Sequence, residues 1–155
     1  MGVVNTGKSY KEELKRNKRI VNDIKGIVVR SSHYSFPDGP ETHSIYEIQV
    51  SGEGKYEESD EIGKVLIEKS FIVPTEEFEK LCLKIVDIMH RFDRVDFAYD
   101  DCSGEVELLL SGGEIILPRG MAFKRRYVER RYVEDAWLKF RDKHIVEQLK
   151  ALEGK

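Results

Sequence analysis

Cysteine, proline, histidine and long apolar runs are all scarce in this chain. Only two cysteines occur, Cys82 and Cys102. Two isolated thiols do not make a disulfide framework, and they predict reduced cysteines in a cytoplasmic protein. No stretch approaches the roughly 18 consecutive apolar residues of a membrane-crossing helix. No basic n-region and apolar h-region mark a secretory leader, so no membrane partner is expected. The four histidines are scattered, and no nucleophile motif accompanies them, which gives an enzyme reading little to stand on. The four prolines, at 37, 40, 74 and 118, leave long segments free to form regular elements.

Charge, by contrast, is plentiful and nearly balanced. Charged residues make up 35% of the chain, and the net charge is −3. Its layout is uneven. Residues 1–25 carry seven Lys/Arg against three Asp/Glu, residues 26–118 carry eight against twenty, and residues 119–155 carry eleven against six. Basic ends around an acidic middle suit either contact with nucleic acid or pairing with the chain's own acidic sheet. A length of 155 residues fits a single domain, 1–155, able to bury a core without disulfide or metal. Residues 1–8 read as a flexible tail.

Periodicity predicts the elements. Ser9 and Glu12 form a capping box for a helix over 9–25. Its buried stripe is Tyr10, Leu14, Asn17, Val21 and Ile24, and Gly26 is a C′ residue. Lys11, Lys15, Arg16, Lys18 and Arg19 make its outer face basic. A short β-rich run follows at 27–31, and a strand at 44–50 shows Tyr46, Ile48 and Val50 on one face. Between them lies a long hairpin loop, His33 to His43, turned by Pro37-Asp38-Gly39-Pro40. Residues 51–63 read as an acidic, solvated connection. A strand over 64–73 places Val65, Ile67, Phe71 and Val73 on one face. Thr75 caps a core helix over 76–91, with Glu76 and Glu77 where the helix dipole favours anions.

The segment from Arg94 to Leu117 reads as a three-stranded antiparallel meander. Its apolar sets are Val95, Phe97 and Tyr99; Val106, Leu108 and Leu110; and Ile115 and Leu117. Asp96, Glu105 and Glu107 fall on the other face, assigned to solvent. The remainder is mostly helix. Val128, Tyr132, Val133, Ala136, Trp137 and Phe140 lie on one side, and a second stripe, Leu138, Ile145, Leu149 and Leu152, points elsewhere. Either the helix breaks near Asp142 or its end projects toward a partner. The whole predicts an α+β fold: an antiparallel sheet of about six strands, packed with a central helix (about 76–91) and a long C-terminal helix, plus the N-terminal helix.

The motifs are thin. Gly2 to Ser9 fits the phosphate-loop pattern G-x-x-x-x-G-K-S/T, but that chemistry needs a buried strand before the loop, and only Met1 precedes it. Met1-Gly2 with Thr6 fits an N-myristoylation pattern. Asp100, Asp101 and Glu105 lack the spacing of a calcium loop. His33 and His43 with Asp38 or Glu41 fall short of a zinc set. No cofactor and no metal are expected.

Three functional readings follow. The first is a non-catalytic protein-interaction or regulatory module, with a protein partner or a second copy. It would use His33, Tyr34, Phe36, Asp38 and His43 on the loop. The second is a nucleic-acid binder using the basic helices 9–25 and 122–141. Its contacts would be Arg125, Arg126, Tyr127, Arg130 and Arg131, where guanidinium groups interleave with aromatics. The third is a small enzyme with a histidine and an acid from the 33–43 loop as its acid/base pair.

Overall fold

The structure, a computed structural model, describes residues 12, 15, 17–34, 41–91, 96–98, 106–117 and 124–153. Side chains at 33, 34, 90, 91, 96–98, 117, 124–130, 152 and 153 lie outside that description. So do the tail 1–8 with its two motif matches, Ser9 of the capping box, the turn Pro37–Pro40, the acids Asp100, Asp101 and Glu105, and Cys102.

Helical residues 17–22 (α1) lead into β1 (Ile24–Tyr34), β2 (Glu41–Gln49), β3 (Glu53–Asp60) and β4 (Val65–Ile72). Then come α2 (Thr75–Arg91), β5 (Asp96–Ala98), β6 (Val106–Leu110), β7 (Ile115–Leu117), α3 (Lys124–His144) and α4 (Val146–Glu153). The strands form one seven-stranded sheet in the order β4-β3-β2-β1-β6-β7-β5. Every described pairing is antiparallel, so the fold is α+β with an antiparallel sheet, as the sequence predicts.

Register separates the two faces. Ile27 lies opposite Ile48 and Leu108, Val29 opposite Tyr46 and Val106, and Leu108 opposite Ile116. Directly opposed residues share a face. These side chains, with Tyr56 and Phe71, meet the apolar sides of α2 and α3 in one core cluster. From α2 come Phe78, Leu81, Cys82, Ile85, Val86, Ile88 and Met89, and from α3 come Val133, Ala136, Trp137 and Phe140. Rings bridge the layers: Trp137 lies 5.2 Å from Tyr46 and 6.0 Å from Phe140, and Tyr46 lies 4.7 Å from Tyr56. Burial lifts the Tyr46 phenol above its ordinary range, and the Arg141 guanidinium beside it opposes that rise.

The structure corrects several expectations. Residues 53–60 are not a connection but β3, paired on both sides. Their acidic, β-poor composition hides a strand whose backbone bonds come from its neighbours. Segment 94–117 is not a meander, because β7 lies between β5 and β6. Ile116 rather than Ile115 takes the core position opposite Leu108, and Ile115 is buried on the other face. An apolar pair on a strand leaves periodicity nothing to choose by, and a one-residue slip swaps the faces.

At the N-terminal end, Ile24 begins β1 and Gly26 lies within it, so neither belongs to the preceding helix. Asn17 and Val21 are buried as expected. At the other end of the chain, the last helix breaks at Ile145, three residues beyond the anticipated Asp142. The second stripe does not project: Ile145 is fully buried and Leu149 packs on the core. Tyr132 and Leu138, placed on apolar stripes by spacing, are exposed.

Strand β4 is an edge of the sheet. Its last residue, Ile72, turns its backbone away from β3 and toward Gln148 of α4. The Ile72 N–H donates to Gln148 Oε1 at 3.0 Å, and Gln148 Nε2 donates to the Ile72 carbonyl at 2.6 Å. A single amide side chain thus satisfies both edge groups as another strand would. At the other end, a bulge at Leu66 interrupts the ladder between Ile67 and Val65.

Gly52 is required by geometry. Its φ is +93°, and a Cβ there would run into the carbonyl oxygen of Val73, whose N–H bonds the Gly52 carbonyl at 2.9 Å. Gly52→Ala should therefore lower unfolding free energy by at least about 2 kcal/mol in urea melts. Burial pushes the Cys82 thiol from 9.0 up to about 12. Between those values the unfolded chain has lost a proton that the folded one keeps. The contribution of Cys82 is complete below pH 9 and is lost as pH rises toward 12. Urea melts across that range should show stability falling, with a smaller fall in Cys82→Ala.

Candidate functional site

The face of the sheet opposite the core carries the polar chemistry. The alternation that turns Ile27, Val29, Tyr46 and Ile48 inward turns Val28, Arg30, Ser32, His43, Ile45 and Glu47 the other way. Lys55, Glu57 and Ser59 of β3 and Glu68 and Ser70 of β4 continue this face. Glu57 and Glu68 are directly opposed, a like-charge pair that would repel. Lys55 relieves it, with its Nζ 3.1 Å from Glu68 and 3.6 Å from Glu57. Its hydrogen bond to Glu68, with Glu57 close by, holds the Lys55 ammonium above its ordinary range.

A concavity of about 430 Å³ opens on this face over β1, β2, β6 and β7. Val28, Leu109 and Ile115 supply apolar lining, and Lys25, Arg30, Glu47 and Gln49 supply polar groups. Glu107 also lines it and is only 2% exposed. Its carboxylate takes an ion pair from Arg30 at 2.5 Å. The sequence pattern assigns Glu107 to a solvent face, but the structure buries it. A carboxylate leaves water only when paired, and Arg30 on the neighbouring strand is the pair.

Beside the concavity, three side chains line up across β1 and β2. Ser32 Oγ lies 2.8 Å from His43 Nδ1. On the other side of the ring, His43 Nε2 lies 3.3 Å from Glu41 Oε1. Register explains the meeting: Ser32 is the direct partner of His43, and Glu41 lies two residues along the same strand.

A second feature is apolar and lies at the β3–β4 turn. Asp60 Oδ1 accepts hydrogen bonds from the N–H groups of Ile62 and Lys64, and Gly63 adopts φ +89°. This tight turn holds Ile62 at its tip, 84% exposed. Val65, Leu66 (53% exposed) and Ile67 follow along β4. The sequence spacing places Val65, Ile67, Phe71 and Val73 on one face. Only Phe71 and Val73 are buried, and the bulge at Leu66 turns Val65 to the face of Ser59 and His43, opposite to Ile67.

The residues expected to act are spread apart. His33 and Tyr34 close β1, with Thr42 and Glu41 as partners. Residues 33, 34 and 41–43 of the predicted loop are therefore ladder, because β1 runs to Tyr34 and β2 begins at Glu41. The side chains of His33 and Tyr34 lie outside the described residues, as do Phe36 and Asp38 entirely. His43 is the loop residue that the structure places in a polar cluster. Arg125, Arg126, Tyr127 and Arg130 belong to the first turns of α3, with side chains outside the described residues, and Arg131 is exposed. Sequence reasoning misses Ser32 and the Arg30–Glu107 pair, since both depend on cross-strand register. Ile62 was legible as an isoleucine among turn residues.

Among the described residues no three His, Cys, Asp or Glu side chains group as a metal site would need. No described helix is long and apolar enough to cross a membrane. No protein-family model matches the chain, and neither a curated protein nor a solved structure is significantly similar to it.

Arg30→Ala would leave the Glu107 carboxylate in its buried position without that cation. Urea denaturation should show a loss of about 1–3 kcal/mol, because Arg30 itself is half exposed and the pair is only partly desolvated.

Proposed function

We propose that the protein is an interaction module whose docking surface is the apolar end of the β3–β4 hairpin. The observation that carries this reading is the run Ile62, Val65, Leu66 and Ile67, exposed on a turn and edge whose geometry does not need them apolar. Exposed apolar groups clustered within a polar rim are characteristic of protein-binding surfaces. The rim here is acidic. Glu57, Glu58, Asp60, Glu61 and Glu68 flank these residues along β3, the turn and β4, and they outnumber Lys55, Lys64 and Lys69. Two acidic rims repel, so a second copy is disfavoured, and a partner with an apolar centre flanked by Lys or Arg fits. The bulge at Leu66 interrupts the ladder at this end of β4, so side chains rather than strand addition would supply the affinity. A cytoplasmic setting agrees with the free thiol of Cys82.

The test uses random peptides displayed on phage and selected against the intact protein. Selected sequences should combine apolar residues with flanking Lys or Arg. Their binding should weaken with added salt and fall at least about tenfold in Leu66→Glu. Melting temperature should be unchanged, since Leu66 is exposed. Selected peptides without basic residues, or binding indifferent to Leu66→Glu, would overturn the reading. A wild-type dimer that Leu66→Glu dissociates would assign the patch to a second copy instead.

A further inference from the structure

We infer that Ser32 is a nucleophile that accepts an acyl group, with His43 as its general base and Glu41 as the positioning residue. The argument starts from what each atom can do. The Glu41 carboxylate accepts hydrogen bonds and donates none, so the ring nitrogen facing it, Nε2, carries the hydrogen in the neutral imidazole. That fixes Nδ1 as the basic nitrogen. Nδ1 is the atom 2.8 Å from Ser32 Oγ, so the serine hydroxyl donates to it. Nucleophile and base are hydrogen-bonded, and the acid lies 3.3 Å from the far nitrogen of the base, the order in which a hydroxyl is activated.

The surroundings suit an acyl substrate. Ser32 is exposed, so a carbonyl carbon can approach it. Arg30 lies two residues back on the same face of β1 and also lines the concavity. Glu107 holds its guanidinium in place. A fixed cation near the reacting carbonyl stabilises negative charge developing on oxygen. Val28, Leu109 and Ile115 in the adjoining concavity offer apolar surface to a short acyl chain. The substrate class is an activated carboxylic ester with a small apolar acyl group.

The step balances without any co-reactant beyond water. Ser32 Oγ bonds to the carbonyl carbon as its proton passes to His43 Nδ1. The ester C–O bond breaks, and the proton moves from Nδ1 to the departing oxygen. Water then attacks the acyl-serine. It gives its proton to Nδ1, and Nδ1 returns a proton to Ser32 Oγ as the carboxylic acid leaves.

p-Nitrophenyl acetate and p-nitrophenyl butyrate test this on the intact protein. The wild type should give a stoichiometric burst of p-nitrophenolate. Peptide mass spectrometry should find the acyl group on Ser32. Ser32→Ala should abolish the burst, and His43→Ala should slow it by about 100-fold. Glu41→Ala should lower kcat and leave KM in place, a split that general loosening of the hairpin would not give. The idea is overturned by a wild type that shows no burst, by acyl groups found on His43 or on lysines instead of Ser32, or by an undiminished burst in Ser32→Ala. The wild-type mass measurement decides the matter even where a variant folds poorly.

Discussion

Ile27 faces Ile48 on one side and Leu108 on the other, and the rest of the structure depends on that double pairing. β1 is the strand through which the four-stranded hairpin series β1–β4 joins the three strands that follow α2. The β1–β2 ladder is local and inexpensive to close. The β1–β6 ladder joins segments some eighty residues apart along the chain, and closing it orders everything between. Once it forms, Ile27, Val29, Ile48, Leu108 and Ile116 present a continuous apolar surface. α2 connects β4 at one edge of the sheet to β5 at the other, and α3 lays Trp137 against Tyr46 with Phe140 stacked behind it. Burial of this one face drives the assembly, and the opposite face is left to take charge.

That division shapes the chemistry. On the face away from the core, charged and polar side chains lie beside the buried Val28 and Ile115. Here the polar set includes Glu41, Glu47, Glu57, Glu68 and Glu107, with Arg30 and Lys55 among them. The cations sit where they relieve crowded carboxylates, Arg30 at Glu107 and Lys55 between Glu57 and Glu68. The Ser32–His43–Glu41 row belongs to the same face. Its side chains lie on paired strands, and a paired ladder holds its side chains in more constant positions than a loop does.

Local signals carry much of this fold, and long-range pairing carries the remainder. The helix at 75–91 is plain in the sequence, because Thr75, the acidic first turn and the spacing of Phe78, Leu81, Cys82, Ile85 and Met89 all agree. The α+β class and the antiparallel pairing follow from the same kind of pattern. β3 does not, because Glu53, Lys55, Glu57 and Glu58 have no preference for a strand until β2 and β4 flank them. The place of β7 between β5 and β6 is likewise a tertiary fact that no local window contains. Of the site, His43 and Glu41 are visible as an acid and a base close in sequence. Ser32 joins them only through a register set by the whole β1–β2 ladder.

The amide of Gln148 also has a meaning in time. It covers the backbone of Ile72 and is 76 residues further along the chain. During synthesis at about 5–20 residues per second, β4 emerges about 4–15 s before the side chain that closes its edge. For that interval the nascent sheet offers an open strand next to Val65, Leu66 and Ile67. The bulge at Leu66 and the charges of Glu68 and Lys69 are in place from the start. They keep that growing edge from recruiting a neighbouring chain until α4 arrives.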